Sequence, residues 1–510
     1  MEPGKKDRST YFGIRQDVVA WSVGIAFIVA IDASILGVGY MRDWDAQSGF
    51  KHNVSKTSRY RFLPEPNGDD SEIGVPGRYG PGASSRWYYW QLPPEKANAL
   101  TRGVVWTCYV VHQLAIWASI YVTQKMKSRG GSGQRKYSTA MTRYQWIPLL
   151  INVAFHFIHL AQTHWTYDGL AQDVSVASSQ SCFIMLLVFV LLMEYRDRGL
   201  FFGWPSIHHK DKISKTIRFH QGPINLLRKY HGYVFAWSTI YTFWYHPMEN
   251  TWGHCMGFVH TWLLMLQGSL MYTDLHLNRY WRLILESWVT LHSTVVAVQT
   301  GGPGLHLWPM FFFGFLWLFF MTQLFGLTFW KKLPSWTRPI PFIVYLAVTI
   351  GLYGFHFVDN KGRHWIRLNE PIRIPFIEYL AVCWAWVCIW FFMKLEKRGR
   401  RRYSGDEEVP GPGKSNTEVV YIFFVLVVYA LMIVLSYLVQ ELDLKSGNLT
   451  LMSILVLAFV LMASISLLPL QVVMKPETVP NNVVSPSPKG AQSTDEGEVN
   501  KACKVDDSPC

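Results

Sequence analysis

Histidine stands in this sequence where it is expensive. The stretch FWYHPMENTWGHCMGFVH, Phe243 to His260, carries His246, Glu249, His254 and His260 between two runs apolar enough to be membrane helices. Upstream, WIPLLINVAFHFIHLAQTHW holds His156, His159 and His164. Downstream, LESWVTLHSTVVAVQ holds Glu286 and His292. Ionisable side chains inside apolar spans are costly, and each marks a functional site by default. Counting 1.5 Å of rise per residue inward from the outer helix ends, His260, His292, His156 and His159 lie roughly 9, 12, 12 and 8 Å deep. Three helices running in different directions thus place imidazoles in one outer layer.

Three chemistries fit such a layer. Neutral imidazole ligates Zn, Cu or Fe. His156, His159, His260 and His292 are therefore candidate metal ligands, with Glu249 or Asp168 to complete an open catalytic set. No HExxH or HxxxH spacing accompanies them, although His156 and His159 are i, i+3. Haem is the second chemistry. It needs two imidazoles at matched depth on neighbouring helices, as His260 and His292 offer. A second, inner haem fits poorly, because His260 and His276 fall on nearly opposite helix faces. The third is a proton or substrate relay from His292 inward to Glu286. Against all three stands plain hydrogen bonding across helices. Glu249 and Glu286 are the candidate acid/base residues. Glu249 reads first as a solvated loop acid, because exposed loop acids are the norm, and second as an acid/base over the mouth of a pocket.

The elements that position these residues are legible as apolar runs. The chain has 510 residues, 50% hydrophobic and only 16% charged, with 23 Trp. A soluble domain carries about a quarter charged residues. A spanning helix needs about 20 mostly apolar residues. Runs of that kind lie at 18–40, 101–123, 146–164, 179–195, 230–247, 254–274, 283–300, 309–330, 340–358, 376–394, 419–440 and 449–473. The expected fold is all-α and polytopic, with about twelve transmembrane helices. Lys and Arg concentrate in alternate loops, including KMKSRGGSGQRK and KLEKRGRRR, which places both termini in the cytoplasm. The basic loop DNKGRHWIRLNEPIRIP on the outer side is the exception. This use of Lys and Arg also explains the net charge of +13 without nucleic acid, which is not an expected partner.

The expected organisation is a cytoplasmic N-terminus (1–17), a first transmembrane helix (18–40) and a Pro/Gly-rich extracytoplasmic loop (41–98). A helical core bearing the histidine layer (99–345), scaffold helices (346–473) and a disordered cytoplasmic tail (474–510) follow. The sequons at Asn53 and Asn448 fall in loops that the basic residues place outside, where glycosylation occurs. A multi-pass protein of the secretory pathway or plasma membrane results. Its expected partners are membrane lipid and a hydrophobic small molecule. The functional expectation is a membrane-embedded enzyme, dependent on a transition metal or haem and acting on a lipid or other hydrophobic substrate. A proton-coupled transporter, and a receptor or structural protein, are the alternatives.

Overall fold

The computed structural model describes residues 10–11, 13–42, 98–129, 137–166, 169–174, 176–204, 221–248, 250–305, 308–357, 365 and 367–383. Glu249, Asp168, Asn53, Asn448, the loop 43–97, the runs 419–440 and 449–473 and the tail lie outside these residues. Within them the chain is mostly helical. The helices are α1 (Gln16–Met41), α2 (Ala99–Arg129), α3 (Arg143–Trp165), α4 (Val176–Arg198) and α5 (Gln221–Tyr245). After them come α6 (Trp252–Ser269), α7 (Arg279–Leu305), α8 (Trp308–Met321), α9 (Ile340–Phe355) and α10 (370–383). A two-stranded antiparallel hairpin, Thr10–Tyr11 with Ile14–Arg15, precedes α1 and turns at Gly13, whose φ of +79° suits glycine.

Every expected run up to 376–394 overlaps a helix among its described residues. Two runs stop early. The run from 254 leaves the α-helix after Ser269, where the chain turns through Tyr272 at φ +61°. The run from 309 leaves it after Met321 and continues as short 3-10 turns. Five segments among the described residues are long and apolar enough to cross a membrane: Gln16–Met41, Ala99–Lys127, Arg143–Trp165, Trp308–Gly326 and Ser335–Phe355.

Burial in α3 shows which solvent suits this fold. Its inward stripe is Gln145, Pro148, Asn152, His156, His159 and Thr163, nearly all polar. Its outward residues are Ile147, Leu150, Phe157 and Ile158. A helix in water does the reverse. Polar side chains turned inward and aliphatic ones turned outward are the pattern of a membrane protein, where polar groups find partners only inside the bundle.

The helix α6 is the hub and packs against α1, α3, α5 and α7. Close approach to α1 depends on small residues. A Cβ on Gly24 would meet Leu266 at 2.6 Å, and one on Gly39 would meet Asn250 at 2.4 Å. A buried staple closes the ends. Asp17 accepts from Arg15 at 2.6 Å and from the Leu275 backbone N–H at 3.1 Å, while its own N–H donates to the Thr139 carbonyl. Two segments distant in sequence are thereby tied to the start of α1. Around α6 the core is strongly aromatic, with Phe243, Trp244, Phe258 and Trp262 fully or almost fully buried.

The outward face of α3 yields a test. Leu150 is 63% exposed. In water, Leu150→Arg would change stability by about 0.5 kcal/mol or less. In hydrocarbon an arginine costs about 2.5–3.5 kcal/mol on insertion scales. The expected outcome is a clear loss of membrane-inserted protein in a fractionation assay. Unchanged yield and fold would contradict the lipid-facing assignment.

Candidate functional site

The connection from α5 to α6 forms as its residues require. Pro247 cannot continue the α5 ladder, and the helix ends at Tyr245. Thr251 then caps α6, its side chain accepting from the His254 backbone N–H and lying 2.7 Å from His254 Nδ1. The His246 and His254 rings sit 5.3 Å apart at this end of the bundle. From there α6 runs inward and separates the expected histidine layer into two groups.

On the α7 side, His260 and His292 come together. Their Nδ1 atoms are 3.3 Å apart and their rings meet edge to face, with centroids at 5.6 Å. Phe183 of α4 lies 6.1 Å from each ring. The Leu285 carbonyl faces the His260 ring, and His246 is within electrostatic reach of His292. Gly257 makes room for this contact, since a Cβ there would fall 2.9 Å from His292 Nε2. Trp288 pins the two helices by donating to the Met256 carbonyl at 3.3 Å.

On the α3 side, His156 and His159 lie among aromatic rings. The His156 ring is 4.9 Å from Trp262, and Nδ1 touches the Asn152 carbonyl one turn earlier. The His159 ring sits 4.4 Å from both Phe243 and Trp244. The His246 backbone lies within reach of the His159 ring. Beside them runs a directional chain. Trp244 Nε1 donates to His112 Nδ1 at 3.2 Å, so the neutral ring carries its proton on Nε2 and donates to Asn152 Oδ1 at 2.9 Å. Asn152 Nδ2 then donates to Ser269 Oγ at 3.0 Å, and Ser269 donates to the Met265 carbonyl. Every donor in this chain has an acceptor, and α5, α2, α3 and α6 are cross-linked by it. His112 is thus committed to Trp244 and Asn152. Asp32 of α1 lies beside Cys255.

The inner end of the bundle is organised by charge. Glu286 receives Arg198 at 2.7 Å, and Glu194 pairs with Arg282. His276, in the connection between α6 and α7, sits 2.9 Å from the Gln267 carbonyl. Burial, and then repulsion from His231 beside it, push its pKa down to about 4. Gln267 also accepts from Trp281 at 2.7 Å.

The structure therefore joins His260 to His292 and groups His156 with His159 on the other side of α6. Among the described residues no three His, Cys, Asp or Glu side chains converge as metal ligands. A porphyrin ring has no space between His260 and His292, whose nitrogens are in direct contact. No family model, no curated protein and no solved structure matches this chain.

Two residues were not legible as site residues beforehand. Arg198 belongs to the RDRG run, which reads as an orientation signal, and its partner Glu286 is 88 residues away. Glu378 is fully buried on α10, and neither carboxyl oxygen has a partner among the described residues. Its signal was a lone acid in the apolar run PFIEYLAVC.

Replacing Asn152 by Leu removes the middle of the four-helix chain and strands the His112 N–H. The expected cost is about 1–3 kcal/mol, read as a lower Tm in detergent. An unchanged Tm would show that the chain carries no stability.

Proposed function

We propose that the chain is a polytopic membrane enzyme with about twelve spans and both termini cytoplasmic, in which His260 and His292 hold a divalent transition metal. The substrate is a lipid or another hydrophobic molecule entering from the bilayer. The observation that carries this reading is the 3.3 Å separation of the two Nδ1 atoms. Two imidazole nitrogens bound at about 2.0–2.1 Å to a tetrahedral metal lie roughly 3.3 Å apart. The Leu285 carbonyl facing the His260 ring is the kind of outer partner that orients a ligating imidazole. With two protein ligands, half of a tetrahedral set remains for water or substrate. Such a site polarises a bound oxygen or lowers the pKa of bound water.

A second reading has its own observation. The same contact lets one imidazole donate to the other, and Glu286 lies on α7 roughly 9 Å of rise further in. That geometry favours a proton relay in a transporter.

Elemental analysis and metal titration of detergent-purified protein separate the two. The enzyme reading expects Zn, Cu, Fe or Co to bind with one stoichiometric site, lost in His260→Ala and in His292→Ala. Gly257→Ala drives a Cβ toward His292 and is expected to weaken metal binding by about 10–100-fold, the usual effect of disturbing an outer shell. Folded wild-type protein that takes up no metal sinks the enzyme reading. Transport assays in proteoliposomes then test the relay, which requires pH-dependent uptake abolished by the same substitutions.

A further inference from the structure

The end of α2, the entry to α3 and the start of α5 lie together at the inner end of the bundle. Gln124 of α2 donates to the Lys229 carbonyl at 2.7 Å and accepts from Tyr233 at 3.1 Å. Gln145, in the first turn of α3, donates to the Met271 carbonyl at 2.9 Å, next to Tyr272. These parts carry charge of one sign. Residues 121–149 hold Lys125, Lys127, Arg129, Arg135, Lys136 and Arg143, and residues 221–233 add Arg228 and Lys229. Neither stretch contains an Asp or Glu. Asp17 and Asp274, in neighbouring segments, face Arg15.

Four of these cations rest on tyrosines. Lys125 lies 5.6 Å from the Tyr121 ring, Lys127 5.9 Å from Tyr272, Arg143 5.1 Å from Tyr144 and Lys229 5.1 Å from Tyr230. Lys125, Arg143 and Lys229 are exposed. So are Tyr121, Val122 and Met126, which keep the outward surface of α2 largely apolar right up to its cations. Two of the segments long and apolar enough to cross a membrane have their ends here, Ala99–Lys127 at its last residue and Arg143–Trp165 at its first. The cations therefore stand where a bilayer passes from hydrocarbon to headgroup, the level that tyrosine and long basic side chains occupy. The opposite end of the bundle differs. There Arg102 pairs with Asp173, and Arg367 with Glu370. Acids accompany the cations at that end and are missing from the sequence of 121–149 and 221–233 at this one.

We propose that this face binds anionic phospholipid headgroups, which supply the negative partners that the two stretches lack. The partner is a lipid because cations at headgroup depth meet lipid phosphates before any anion in the aqueous phase. A cation over a tyrosine ring is attracted by the ring without losing its charge. Each Lys or Arg close to an anionic leaflet strengthens association by about fivefold. The inference rests on α2 and α3 crossing the membrane and is independent of the histidine pair.

The test uses the full chain in maltoside detergent, titrated with mixed micelles containing phosphatidylserine or, at the same mole fraction, phosphatidylcholine. Lipid bound per chain is measured for each. Wild type is expected to bind phosphatidylserine more tightly by about fivefold or more, and the preference is expected to shrink as salt is raised. Lys125→Gln, Arg143→Gln and Lys229→Gln together change only exposed side chains and are expected to remove most of the preference. Arg373→Gln takes a cation from the opposite end and is expected to leave it intact. Equal binding of the two lipids by folded wild type overturns the proposal. So does a preference that salt does not reduce, that the folded triple variant keeps in full, or that Arg373→Gln abolishes. Polyglutamate that binds while the two lipids do not differ gives the face to a soluble acidic partner instead.

Discussion

Hydrocarbon offers no partner to a polar group, and the rest of this structure follows from that constraint. Each buried imidazole, amide or carboxyl must be met by another part of the protein or be left bare at high cost. Helix α6 is where most of them are met. One side of it presents Phe258 and Trp262 to the histidines of α3 and Ser269 to Asn152, and another presents Gly257 and His260 to His292. The chain His112–Asn152–Ser269 shows how completely such groups can be satisfied, since the direction of each bond fixes the next. His159, packed against Phe243, Trp244 and Phe258, shows how few polar partners the aromatic side of α6 leaves.

The apolar runs were legible because a span of about 20 residues leaves a plain signature. Depth was legible as well, because rise per residue is constant. Azimuth was not. His260 and Trp262 differ by only two residues, hence by about 200° around the helix. The depth count therefore merged His156 and His159 with His260 and His292 into one layer, although α6 stands between the two groups. Knowing which helix fills which side of α6 requires the packing, and packing involves pairs as remote as Asn152 with Ser269.

Charges near helix ends carried a second meaning that composition hid. Arg198 and Arg282 count as loop cations when orientation is read. In the folded chain each is an ion-pair partner of an acid on the facing helix. Arg367 does the same in the basic loop on the expected outer side, where it pairs with Glu370, itself bonded to Tyr353 at 3.1 Å. A cation neutralised within the fold is a weaker topology signal than its count suggests.

Helix α7 carries both His292 and Glu286, and so reaches from the histidine pair to the ion pair with Arg198. Glu286 anchors the inner end through Arg198, and His292 meets His260 roughly 9 Å of rise further out. The tolerance at the histidine pair is small, because Gly257 leaves His292 only the space of a missing methyl group. Glycine within a helix costs about 0.5–1 kcal/mol relative to alanine. Position 257 carries that cost at the one point of α6 where a side chain would push the His292 ring away. Close placement of the two imidazoles is therefore a feature that this backbone maintains against its own helical stability.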